Sequence, residues 1–249
     1  MVFDRLLKEA GVDVLFHSYV MDAKVEEGKI RSISVVNISG RQELSARYFI
    51  DATGNAELSV LAGCEYQLGR EGDNLCQPMT LCFRIANVDM DKFWDKSRKT
   101  MNELYQRFQK EGKIKNPREN ILTFLHMADG VVHFNSTRII KHDPTDVVDL
   151  TDAEITAREQ MVELYNFMKE NVEGFENSTL LASASSIGTR ESRMVKGKYT
   201  IVEDDIVKCT KFEDSIAQGN YEIDIHSPDG SGTTHIRDVY KRQIYTFHS

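Results

Sequence analysis

The chain has 249 residues, 41% of them hydrophobic, and a formal charge of -8, the composition of an ordinary globular protein. Acidic residues outnumber basic ones and no long Lys/Arg run occurs, which argues against nucleic acid or an anionic membrane surface as partner. No stretch is long and apolar enough to span a bilayer, and MVFDRLLKEAG lacks the form of a secretory signal, so a cytoplasmic protein is expected.

Val2 to Ala10 reads as a helix closed by Gly11. Val12 to Phe16 predicts a short buried strand. Tyr19 to Val25 and Ile30 to Val36 flank Glu26-Glu27-Gly28-Lys29, and Arg41 to Ile50 follows Ser39-Gly40, so a three-stranded β-meander is expected. The last of these strands runs into Ala52-Thr53-Gly54-Asn55 and then a short Ala/Leu helix. A glycine there lets a backbone approach a ligand closely, and Asn55 is expected to cap the helix.

From Gln77 the texture changes. Met79 to Ile85 predicts a strand, and Met90 to Glu111 a long amphipathic helix with Phe93, Trp94, Met101, Leu104, Tyr105 and Phe108 at its apolar positions. Ile121 to Met127 and Val131 to Ile140 flank Ala128-Asp129-Gly130 as a hairpin. Thr151-Asp152-Ala153-Glu154 reads as a capping box opening a helix that runs to about Asn171, and Leu180 to Ser185 as one more strand.

Three segments carry residues suited to chemistry. Gly188-Thr189-Arg190-Glu191-Ser192-Arg193 sets two guanidiniums three residues apart around a carboxylate, able to hold a carboxylate or an electron-rich ring edge. The same pattern also suits a surface ion-pair network. Asp224-Ile225-His226-Ser227-Pro228-Asp229-Gly230 places a histidine among carboxylates, where it could exchange protons near neutral pH or simply form a solvated turn. Arg138, ending FNSTRI, is a further candidate for holding substrate. Cys64, Cys76, Cys82 and Cys209 form no C-x-x-C pair and show no zinc-type spacing, so structural thiols and no metal are expected.

IDATGNAELSVLAG, QPMTLCFRI, FNSTRI, GTRESRMVKGKYTIVEDDI and YEIDIHSPDGSG stand in one order that resembles the FAD-dependent oxidoreductase family, whose members join a glutathione-reductase-type FAD domain to a substrate domain. The resemblance covers Met1 to about Arg237. It implies an α/β fold, with a partial Rossmann-like FAD-binding domain with β-meander over residues 1–75, followed by an α+β, mixed-sheet substrate domain over 76–237. It places FAD against Ala52, Thr53, Gly54 and Asn55, with the strand at Val20 passing along the adenine. Family members often carry Asp where this chain has Asn55. Hydride would pass between a small, possibly anionic organic substrate and the flavin, with Arg190, Arg193 and Arg138 as substrate or flavin clamps and His226 as proton carrier.

No G-x-G-x-x-G fingerprint occurs in the sequence. The chain is therefore expected to be an internal fragment, inactive by itself. Asp238 to Gln243 is what an adapter sequence of sequencing libraries would encode, so 238–249 is expected not to be natural protein. Two other classes suit the same residues: a nicotinamide-dependent dehydrogenase without flavin, and a non-catalytic α+β binding module.

Overall fold

The computed structural model of the chain describes residues 2–219, 223–236 and 245–248. Most of the segment expected to be non-natural, 238–244 and Ser249, therefore lies outside the described residues. The chain divides into two compact units, one formed by residues 1–67 with 193–197 and the other by 68–192 with 198–249.

In the first unit α1 (Val2–Glu9) ends at Gly11, whose φ of +68° is the left-handed conformation that lets Val12 donate its N–H back to Leu7 O at 2.9 Å. Val12 to Phe16, expected as a buried strand, is exposed irregular chain, because no described strand lies alongside to take its hydrogen bonds or cover Val14, Leu15 and Phe16. The meander follows: β1 (Tyr19–Glu26), β2 (Lys29–Asn37) and β3 (Gly40–Ser45) pair antiparallel in that order. The third strand stops at Ser45 rather than running on to Ile50. A short α2 (Glu57–Leu61) packs beside β1, and β4 (Tyr66–Leu68) pairs with the distant β9 (Arg193–Val195).

The second unit holds the main core. Its sheet has the order β6 (Thr123–Leu125), β7 (Val132–Phe134), β5 (Phe83–Ala86), β8 (Thr179–Ser183), with antiparallel ladders throughout. Alternation puts Phe83, Ile85, Val132 and Phe134 on one face, all buried, with the Phe83 and Phe134 rings stacked 4.8 Å apart. The expected strand from Met79 shrinks to β5; Met79 and Thr80 instead make single bridges to Ile139 and Gly188. The hairpin expected from 121 to 140 is likewise short.

Two long helices cover that face. The segment from Met90 is not one helix but α3 (Met90–Lys92), a π-helical turn (Phe93–Ser97) and α4 (Arg98–Lys110). In α5 (Val147–Asn171), Ala153, Ala157, Met161, Leu164 and Met168 recur at helical spacing and are buried. This helix begins four residues before Thr151. Asp146 is its cap, its carboxylate accepting from the Val148 and Asp149 amides at 2.9 and 3.0 Å, while the Thr151 hydroxyl donates to Val147 O inside the first turn. Beyond β9 come α6 (Glu203–Val207), β10 (Ser215–Gly219), the hairpin of β11 (Ile223–His226) with β12 (Thr233–Ile236), and β13 (Tyr245–His248), paired with β10. Among the described residues no helix is long and apolar enough to cross a membrane.

Candidate functional site

Asp51 organises the Thr-Gly-Asn turn of the first unit. One carboxylate oxygen accepts from the Thr53 amide (3.1 Å) and hydroxyl (2.7 Å), the other from the Ser59 amide (2.8 Å) and hydroxyl (2.7 Å). Burial alone would raise the Asp51 pKa; the hydrogen bonds from Ser59 and Thr53 outweigh it and hold the group at about 2. Thr53 in turn accepts the Glu57 amide at 2.9 Å, and Ala56, in the left-handed region, occupies the cap position of α2. Asn55 is therefore not the cap: a hydroxyl two residues earlier already satisfies the amide it was expected to take. Gly54 has φ +91°, and nothing lies within 4 Å of where a Cβ would stand. Ala52, Thr53 and Gly54 are exposed. Arg193 donates from Nη1 to Asn55 O at 3.2 Å and sits 5.6 Å over the Tyr66 ring, its Nε buried without a hydrogen bond. Val20 is half-buried and paired with Val35 in the meander.

The second unit contains a pocket of about 610 Å³ walled by Arg118, Glu119, Leu122, Phe124, Asn135, Arg190, Asp224, His226 and Thr233. The β11–β12 hairpin forms one wall. His226 reaches it because its own amide donates to Gln77 Oε1 at 3.0 Å, tying the strand to the segment before β5.

Arg138, 1% exposed, stands behind this wall. Its Nη1 donates to Glu119 Oε1 at 2.9 Å and its Nη2 to Thr233 Oγ1 at 3.1 Å, with His226 Nδ1 3.4 Å away. A guanidinium cannot accept, so Nδ1 of His226 is the acceptor and the ring proton sits on Nε2, which faces Asp224 Oδ1 at 3.6 Å. Burial, followed by the charge of Arg190, lowers the His226 pKa and so favours the neutral ring. Arg190 donates from Nη1 to Pro78 O and Thr80 Oγ1, at 2.6 and 2.5 Å. Glu191 accepts the Gln77 amide at 2.8 Å. Arg190 and Arg193, each expected as a substrate or flavin clamp, thus bind in separate units, and the carboxylate between them closes the loop before β5.

Arg118 escaped the sequence reading. It is 5% exposed and lies on a loop that α4 and α5 grip from both sides: Gln109 donates to Asn116 O and Arg118 O, Asn102 accepts the Ile121 amide, and Glu163 accepts the amides of Lys115 and Asn116. Burial, followed by the charges of Arg138 and Arg190, brings its pKa down to about 10, which leaves it charged at neutral pH. Its Nε and Nη1 are buried without a hydrogen bond. The only sequence signal was a charge within Asn116-Pro117-Arg118-Glu119-Asn120, no different from a surface turn.

Burial pushes Cys76 up to about 11 and raises Cys82, so neither is a thiolate at neutral pH. Among the described residues no group of His, Cys, Asp and Glu could hold a metal ion.

The fold and these two sites define a mixed α/β protein with several antiparallel sheets, a guanidinium-lined pocket in one unit and an open glycine turn in the other. Residues 1–247 match the family described as FAD dependent oxidoreductase, and the chain belongs to that family; its cofactor is FAD. No curated protein and no solved structure matches the chain. The turn fits a dinucleotide: Gly54 is open on the side a Cβ would fill, and Arg193 keeps a buried, unpartnered donor beside it.

Proposed function

We propose that the chain belongs to a flavoprotein that moves a hydride between FAD and a small anionic organic molecule seated in the guanidinium-lined pocket. The first unit is the FAD-binding part, of Rossmann-like descent, and the second the substrate part. Ala52, Thr53, Gly54 and Asn55 would hold FAD, with the backbone at Val20 along its adenine and Arg193 supporting the turn. FAD supplies the hydride acceptor or donor when bound.

The protein's own residues place the substrate and handle its proton. Arg190 is a cation fixed by Pro78 O and Thr80, available to an anionic substrate. Arg138 positions His226 by holding Nδ1 as an acceptor. His226, neutral and on the pocket wall, then gives or takes a proton at Nε2, with Asp224 stabilising the charged ring. The observation that carries this reading is the gathering of Arg190, Arg138 and His226 at one pocket from segments far apart in sequence.

The test uses the protein expressed from the complete reading frame that contains these residues. It is expected to purify with visible flavin absorption and to release FAD on denaturation. His226→Gln is expected to slow flavin reduction and to remove the acid-side limb of its pH profile. A well-folded, colourless protein that takes up no added FAD refutes the reading.

A further inference from the structure

The charges around the pocket do not cancel. Glu119 is committed to Arg138, and Asp224 to His226 and the neighbouring Arg190. Among the described residues, three guanidiniums against two carboxylates, with a histidine whose neutral form burial favours, leave one positive charge. It falls on Arg118, whose guanidinium donates no hydrogen bond and makes no ion pair among the described residues, although it is 5% exposed. A buried unpaired charge costs several kcal/mol, and proteins normally satisfy or remove it. Here the surrounding structure does the reverse. Gln109, Asn116 and Glu163 hold the Arg118 backbone in place. A second orphan shares the wall: the side-chain oxygen of Asn135 is buried without a partner. Beside them Leu122 and Phe124 offer apolar surface, 37% and 47% exposed.

We infer that this pocket binds a small organic monocarboxylate, its carboxylate paired with Arg118, its body against Leu122 and Phe124, and a polar substituent within reach of Asn135. The inference rests on the proposed function for the bound molecule being the substrate; the binding itself needs no flavin. A guanidinium grips a carboxylate with two parallel N–H donors, and a guanidinium as buried as Arg118 makes that pair stronger and more selective for charge than an exposed one. Arg118 is thereby the residue that selects acids over their neutral analogues.

The test is calorimetric titration of the same full-length protein, with and without FAD, using benzoate, benzamide and inorganic phosphate as probes. Benzoate is expected to bind at least tenfold more tightly than benzamide, which has the same body without the charge, and more tightly than phosphate, which has the charge without the body. Arg118→Met is expected to weaken benzoate at least tenfold, and Arg118→Lys by a smaller factor. Because it removes an unpaired buried charge, Arg118→Met is also expected to melt no lower than the unaltered protein when no ligand is present. Equal binding of benzoate and benzamide, equal binding of phosphate, or a ligand-free Arg118→Met protein that melts lower would each overturn the inference. The first two comparisons need no variant. Benzoate bound by a protein that takes up no FAD would sink the flavoenzyme reading alone, whereas flavin uptake and reduction without benzoate binding would sink this inference alone.

Discussion

Removing the side chain of Asn116 tests how the Arg118 loop is held. Asn116 is 1% exposed, and its amide works in both directions: Nδ2 donates to Ser136 O at 2.8 Å, and Oδ1 accepts the Arg118 amide at 3.1 Å. Asn116→Ala deletes both bonds and leaves a buried carbonyl and a buried amide facing a void. Each neutral hydrogen bond contributes about 1 kcal/mol net, and each orphaned partner adds part of a desolvation penalty of about 1 to 3 kcal/mol, so a loss of about 2 to 4 kcal/mol is expected. For a chain of this size each kcal/mol moves the melting temperature by about 2 to 4 °C, which gives a fall of roughly 4 to 16 °C. Thermal melting followed by circular dichroism reads it directly. Hydrogen exchange should show faster exchange at the amides of Arg118 to Leu122. Glu163→Gln, which keeps one of the two backbone contacts, is expected to cost only about 1 kcal/mol. A melting temperature for Asn116→Ala within about 1 °C of the unaltered protein would refute the claim that these bonds fix the loop.

Three further outcomes follow from the same geometry. Gly174→Ala is expected to destabilise the second unit by about 1 to 3 kcal/mol, because φ is +101° and the new Cβ would stand 2.8 Å from Asp89 O; denaturant titration checks it. Asp51→Asn is expected to lower the melting temperature at pH 7 but not near pH 2. The folded pKa lies below the ordinary 3.8, so the stabilisation is present above that value and fades as pH falls toward about 2. Melts at both pH values would show the difference closing. Arg138→Met is expected to loosen the β11–β12 hairpin, since Thr233 and His226 lose their shared anchor. Hydrogen exchange at 223–236 should quicken while the β5–β7 ladder stays protected.

Local patterns were legible in the sequence wherever local physics decides. The turn chemistry around Glu27-Gly28 and Ser39-Gly40 predicts the meander, and helical spacing from Ala153 to Met168 predicts the buried stripe of α5. Errors came where a longer-range partner took the group. Glu154 fits a capping box by spacing, but its carboxylate accepts the Ile187 amide at 2.7 Å, and Asp146 does the capping. Val12 to Phe16 has strand-like residues but no neighbouring strand among the described residues. Arg138 and His226 were recognisable by their chemistry, though nothing in the sequence says that residues 88 positions apart share a hydrogen bond. Arg118 was invisible because its importance is burial, and burial is conferred by polar residues of α4 at positions 102, 106 and 109, turned onto the loop beside the core residue Tyr105. That face reads as solvated until the loop is seen against it.

The pairing of β4 with β9 sets the order in which this protein can be assembled. Lys196 donates its amide to Glu65 O at 2.8 Å across 131 positions of chain. On the ribosome, residues 1–67 emerge before the second unit, yet the strand that pairs with β4 is translated only after the whole sheet and both long helices of that unit. Closing so long a loop through disordered chain is entropically costly and slow. A folded second unit shortens that loop by fixing most of it in advance. The unit of residues 1–67, made before the other, is thus the later of the two to finish folding, and its unpaired β4 edge must stay out of wrong associations in the meantime.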